Sequence, residues 1–193
     1  MYRQDYFAGV DEVGRGPLAG AVFAAAVVLD PFSQIDGLRD SKMLSAKRRE
    51  VLNEEIKSRA VAWSIGRADV EEIDRINILQ ATMQAMRRAV SGLWAPVGFV
   101  VVDGNRTPGF DNCQSDWLIQ GDGKLDAIRA ASIIAKVARD REMEDLDEMY
   151  PDYGLARHKG YATRYHLDAL RKHGPSPVHR MSFAPCRQRE LFT

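Results

Sequence analysis

The sequence has only two cysteines, Cys113 and Cys186. That excludes a disulfide framework, and no Cys or His pair has the spacing of a structural zinc site. Sparse cysteine fits a reducing, cytoplasmic setting. Long apolar runs are also missing. The longest, Ala21 to Leu29, is nine residues, against about 20 for a membrane-spanning helix. The N-terminal Met1 to Asp5 lacks the apolar core of a secretory signal, so the Asn105-Arg-Thr107 sequon is expected to be idle. Internal repeats and low-complexity tracts are absent, as is the G-x-x-x-x-G-K-[ST] phosphate loop. Charge of one sign is not in excess either, with 27 basic and 27 acidic residues.

What is present describes a folded domain. Hydrophobic residues make up 45% and charged residues 28% of 193, which argues against disorder. A chain of this length buries a sizeable core without staples. The balanced charge is unevenly spread. Residues 154–193 hold eight basic and two acidic side chains together with all four histidines. This basic end reads either as a solvated surface or as a surface for a polyanion.

Tyr6 to Val10 reads as a strand entering Asp11-Glu12, and Ala19 to Leu29 as a buried strand, the two forming a hairpin about Gly14 and Gly16. Ser45 is expected to cap a helix to Ser58 with Val51, Leu52 and Ile56 inward. Val61 to Ile65 alternates as a strand. A short helix over Asp69 to Ile73 precedes a stronger one over Asn77 to Leu93. Phe99 to Val102 and Trp117 to Gln120 read as strands, Asp126 to Met149 as the longest helix, and Thr163 as the cap of a last helix to His173. The alternation predicts an α/β domain with a mixed sheet, with residues 1–150 as its core and 151–193 as a basic helical segment packed on it.

Three acidic sites follow apolar strands: Asp11-Glu12, Asp103 and Asp122. Carboxylates converging at strand ends would repel one another unless a cation joins them. Oxygen ligands without Cys or His favour Mg²⁺ or Mn²⁺. Single acids also sit at strand ends simply because loops are wet, and pattern alone leaves both readings open. Neighbouring strand residues face opposite ways, so Asp11 and Glu12 share a point only if the strand ends or distorts. Gly14-Arg-Gly-Pro-Leu-Ala19 formally fits a dinucleotide fingerprint, but an apolar strand-like run follows where a helix is required. The glycines better suit close backbone approach to a ligand, with Arg15 beside them for a phosphate.

Gly9-Val-Asp-Glu-Val-Gly-Arg-Gly-Pro-Leu-Ala-Gly20 resembles the N-terminal signature of ribonuclease HII. Asp40-Ser-Lys42 with Leu44-Ser45, Asp103-Gly-Asn105, Ala130-Ala-Ser-Ile-Ile-Ala-Lys136, Tyr153-Gly154, His158-Lys-Gly-Tyr161 and Arg180-Met-Ser-Phe183 resemble its later blocks, in the family's order. The resemblance runs from about Tyr6 to Phe183 without an added substrate-binding domain, as in the HII rather than the HIII type. It implies a ribonuclease H-like mixed sheet flanked by helices, with a small C-terminal helical lobe. It implies hydrolysis of RNA in RNA–DNA hybrids and incision at single ribonucleotides in duplex DNA, leaving 3′-hydroxyl and 5′-phosphate ends. Two ions, Mn²⁺ or Mg²⁺, would be held by Asp11, Glu12, Asp103 and Asp122. Gly14, Arg15 and Gly16 would read the ribose 2′-hydroxyl and hold the next phosphate, with Tyr161 stacked on the neighbouring sugar. Lys42, Asn105, His158 and Lys159 would contact phosphates. Met43 and Arg129 depart from the family's pattern, and neither is expected to touch the metal site. A monomer is expected, with affinity that falls with salt and little base preference.

Overall fold

The computed structural model describes residues 6–38, 43–111 and 113–187. Five strands form one sheet in the order β3-β2-β1-β4-β5. The strands are β1 (Phe7–Val13), β2 (Val22–Val28), β3 (Ala62–Ala68), β4 (Phe99–Asp103) and β5 (Gln114–Leu118). β1, β2 and β3 pair antiparallel, whereas β4 and β5 run parallel to β1. The sheet is therefore mixed, as the alternation of elements predicts.

Helices α1 (Ala46–Arg59), α2 (Val70–Ser91) and α3 (Asp126–Met149) cover its faces. Strand alternation sorts the core. Ala8, Val10, Ala24 and Ala26 pack with Ala81, Ala85 and Met86 of α2, and Ala25 and Val27 pack with Leu52, Ile56 and Ile134 of α1 and α3. Small residues on β1 and β2 let the helices lie close. A Cβ at Gly9 would fall 2.3 Å from the backbone carbon of Ala127 on α3.

Ser45 caps α1, as expected. Val51, expected inward, is 49% exposed; the buried stripe runs instead through Leu52, Asn53 and Ile56. The two expected helices at 69–93 are joined end to end as α2, with a kink at Asn77 (φ 68°, ψ 162°). Asp69 caps the first stretch, and Asn77 Oδ1 accepts from the amides of Leu79 and Gln80 to cap the second. β5 begins and ends earlier than expected. The edge of β4 pairs from Phe99–Gln114 to Asp103–Leu118, and Gln120 turns to φ 55°, which no strand tolerates.

After α3 the chain folds back in α4 (Leu155–His158), α5 (Arg164–His173) and α6 (Ala184–Arg187). Thr163 caps α5, accepting from His166 N–H at 3.3 Å. This end packs through its own apolar cluster, in which Tyr153, Leu155 and Leu170 meet Leu18, Met143 and Leu146.

Candidate active site

The ladder between β1 and β4 stops at Val10–Val102, while β1 continues to Val13. Asp11 and Glu12 thus project past the last β4 pair, and Asp103 ends β4 beside them. Asp11 points to the α3 face, where Ser132 hydrogen-bonds its carboxylate. Glu12 points to the α2 face, into a cleft of ≈ 280 Å³ with Met83 and Met86 on one wall and Arg15, Asp103 and Asn105 on the other. Asp11 and Glu12 therefore do face opposite ways, and Asp103 lies within electrostatic reach of both.

Asp11 is 6% exposed. Burial, then the charges of Glu12 and Asp103, push its carboxyl well above the usual range, against the opposing Ser132 hydrogen bond. Burial also raises Glu12, which Arg15 partly offsets through a 3.2 Å ion pair. Such a set holds more negative charge than it neutralises. Asp103 Oδ1 accepts from Gly121 N–H at 2.7 Å, which draws the turn carrying Asp122 toward the end of β4. Asp122 lies in a single 3₁₀ turn, Gly121–Gly123, rather than at a strand end. Arg129 fastens that turn. Its Nε donates to the Asp122 carbonyl at 3.0 Å, and its Nη2 donates to the Gly123 carbonyl. Arg129, a departure from the family's pattern, thus binds the backbone of one of the acids and not its carboxylate. Asp126 occupies the first turn of α3, as expected, and pairs with Arg129.

These carboxylates match a hard divalent cation in donor type and in uncompensated charge. Among the described residues, no three His, Cys, Asp or Glu side chains are already drawn close enough to cage a metal. Glu12 is turned toward Arg15 and Asp103 toward the Gly121 amide. The donor chemistry fits a divalent ion, which Asp11, Glu12, Asp103 and Asp122 would hold.

The Gly14–Gly16 turn lies beside the acids. Gly14 has φ 95°, and a Cβ there would meet the Arg139 side chain at 2.2 Å, so only glycine fits. A Cβ at Gly16 would lie 3.6 Å from Tyr161 Cε1; the turn and the tyrosine face each other. Tyr161 is 47% exposed, unlike a packing tyrosine. Asn105 is exposed at the cleft. His158 bonds within the C-terminal end, and Lys159 reaches back to α3. His158 Nε2 donates to the Tyr153 carbonyl at 2.9 Å, and Lys159 Nζ pairs with Glu144 at 2.7 Å. Asp40, Ser41 and Lys42 lie outside the described residues, and Met43 is exposed. Ser132, Arg139, Arg180, His166 and His179 are buried polar groups around the site that residue patterns left unassigned. The Ala-Ala-Ser and Arg-Met-Ser-Phe blocks were the available signal for Ser132 and Arg180.

A family model described as ribonuclease HII matches residues 8–186. The crystal structure of ribonuclease H2 from Pyrococcus horikoshii OT3 superposes with a TM-score of 0.82 at 26% identity, covering 96% of this chain and 97% of that one. RNase HII of Archaeoglobus fulgidus, solved in complex with PCNA, gives 0.73 at 27% identity over 92% and 95%. Bst-RNase HIII in complex with Mn²⁺, 18% identical over 96% and 69%, shares the fold with a TM-score of 0.79. The mixed sheet with flanking helices is the ribonuclease H-like fold that the sequence resemblance implies. Because the family model spans nearly the whole folded chain, the protein belongs to the ribonuclease HII family, whose members are metal-dependent ribonucleases.

Proposed function

We propose that the chain cleaves the RNA strand of RNA–DNA hybrids and incises duplex DNA at single embedded ribonucleotides, leaving 3′-hydroxyl and 5′-phosphate ends. One observation carries the reading: the buried Asp11, repelled by Glu12 and Asp103, lies next to a glycine turn that faces an exposed tyrosine. Asp11, Glu12, Asp103 and Asp122 hold two Mg²⁺ or Mn²⁺ ions. Such ions, when bound, supply Lewis acidity and an activated water.

The chain's own groups do the selecting. Gly16 leaves backbone accessible to a ribose, whose 2′-hydroxyl separates RNA from DNA. Arg15 holds the adjacent phosphate, and Tyr161 offers its ring to the next sugar. Ser132 holds the Asp11 carboxylate in place. Lys42, Asn105, His158 and Lys159 are the phosphate contacts of this reading. Residues 151–193 form the duplex-holding part, with Arg157, Arg164, Arg171 and Lys172 exposed on it, and residues 1–150 form the cutting part. Phosphate contacts of this kind position a duplex without reading its bases.

Asp11→Asn tests the reading. It removes a metal ligand and a repelled, buried charge together. Cleavage of a hybrid in Mg²⁺ or Mn²⁺ is expected to fall at least about 100-fold, while the metal-free melting temperature rises. Near-normal cleavage by the variant would overturn the assignment.

A further inference from the structure

Two buried residues, His179 and Arg180, reach the Gly14–Gly16 turn and Tyr161, which face each other. Arg180 is fully buried, and its guanidinium forks across the glycine turn. Nη2 donates to the Gly14 carbonyl at 2.6 Å, Nη1 to the Arg15 carbonyl at 3.1 Å and Nε to the Gly20 carbonyl at 2.9 Å. Arg180 N–H also donates to the Leu18 carbonyl, and His179 forms an isolated bridge with Ala19. On the other side, His179 Nε2 lies 2.9 Å from His166 Nε2, and His166 Nδ1 lies 2.9 Å from the Tyr161 carbonyl.

The protons in this chain are fixed by their partners. A carbonyl only accepts, so His166 carries its hydrogen on Nδ1 and offers a bare Nε2. Ser176 N–H donates to His179 Nδ1 at 3.0 Å, so that nitrogen is bare and the His179 hydrogen sits on Nε2. Ser176 Oγ lies 2.8 Å from the same Nδ1. His179 therefore donates to His166, which donates to the Tyr161 carbonyl. Two neutral rings make a directional link with every polar nitrogen used. The Tyr161 carbonyl also accepts from Thr163 N–H at 2.8 Å, so both of its lone pairs are held.

We propose that His179 and Arg180 form a bracket that sets the separation between the Gly14–Gly16 turn and Tyr161, the former residue acting through His166 on the tyrosine and the latter directly on the turn. Both are positioning residues: neither reaches a substrate, and each fixes the backbone of a group that does. The bracket rests on the reading of that turn and Tyr161 as the ribose-reading walls. Arg139 buttresses the same separation, donating to the Lys159 carbonyl at 3.0 Å and to the Ala19 and Ala21 carbonyls at 3.2 Å each. A spacing fixed from behind suits a site that must feel one hydroxyl, because binding groups lose effect when displaced by about 1 Å.

A double-mutant cycle separates positioning from fold support. His179→Leu removes the link, whereas His179→Gln keeps a donor toward His166. Each is made with Tyr161 intact and with Tyr161→Ala, and kcat and KM are measured on a duplex carrying one ribonucleotide. With Tyr161 present, His179→Leu is expected to lower kcat/KM about tenfold, and His179→Gln to restore most of it. With Tyr161→Ala, His179→Leu is expected to cost less than about twofold. A variant that merely folds less well loses the same factor in both backgrounds, and that result would overturn the tyrosine arm. Arg180→Lys, which keeps the charge but not the fork, is run against Arg15→Ala in the same way, and equal losses would overturn the turn arm. Long-range ¹H–¹⁵N spectra of the wild type give a readout free of activity: the hydrogen is expected on Nδ1 of His166 and Nε2 of His179. The reverse tautomers would overturn the bracket even in an active enzyme. A wild type that cuts neither a hybrid nor the ribonucleotide duplex would instead sink the proposed function, and the bracket's purpose with it.

Discussion

His179 and Asp11 are both buried against their charge preference, and they answer pH in opposite senses. Burial and the neighbouring His166 push His179 down from 6.5 to about 4. His166 is lowered as well, chiefly by burial. The groups around the pair, Tyr153 at 4.7 Å from the His179 ring and His158 stacked on His166 at 4.5 Å, supply no anion to stabilise an imidazolium. Above about pH 6.5 both rings are neutral folded or unfolded, and pH has no hold on the pair. Below it the unfolded chain takes up protons that the native one refuses, and stability drains away until the folded pKa is reached. Between pH 7 and pH 4.5 the wild type is expected to lose about 2–3 kcal/mol more than His179→Gln in urea unfolding. Equal losses would show that the ring titrates normally. The sequence showed four histidines without a metal spacing and gave a role to His158 alone. It could not show that His166 and His179 meet, because the α5 turn and the Gly174–Val178 segment that bring them together act through space, not spacing.

β1 and α3 carry most of the site, and their closeness depends on Gly9. With no side chain there, α3 lies against the strand and seats Ser132 under Asp11. Gly9→Ala would thrust a methyl group into the α3 backbone and is expected to cost about 3 kcal/mol of stability, read as a fall in the urea midpoint; an unchanged midpoint would mean the helix can yield. Most elements were readable from pattern. The bounds of α3, the caps Ser45 and Thr163, and the break at Asn77 all follow from local chemistry. Only the end of β5, Trp117 and Leu118, was readable, because Gln114, Ser115 and Asp116 are polar edge residues defined by the partner strand and not by their own hydrophobicity. Val51 was misjudged for a related reason: an apolar residue beside the buried stripe looks inward until the packing of α1 on α3 fixes the stripe.

The chain as a whole joins an acidic cleft to a basic end. The segment 154–193, with eight basic against two acidic residues, follows a core whose sheet carries Asp11, Glu12 and Asp103 on two neighbouring strands. Three apolar runs each followed by an acid pointed to a shared place for the acids but left the wet-loop reading open beside it. That Asp122 hangs from a turn pinned by Asp103 and Arg129 was not legible, since both contacts run to backbone atoms of the turn and leave no mark in the residue pattern. The basic C-terminal segment is tied to the Gly14–Gly16 turn by Arg180, so under the proposed function duplex holding and ribose sensing would share one rigid path. The most direct measurement compares two DNA duplexes of identical sequence, one with a single ribonucleotide, incubated with the protein in Mn²⁺. A cut confined to the ribonucleotide strand, at that sugar, and lost with Asp11→Asn is expected. Equal cutting of the all-DNA duplex, or cutting that persists in the variant, would contradict a carboxylate metal site that works beside a hydroxyl-sensing turn.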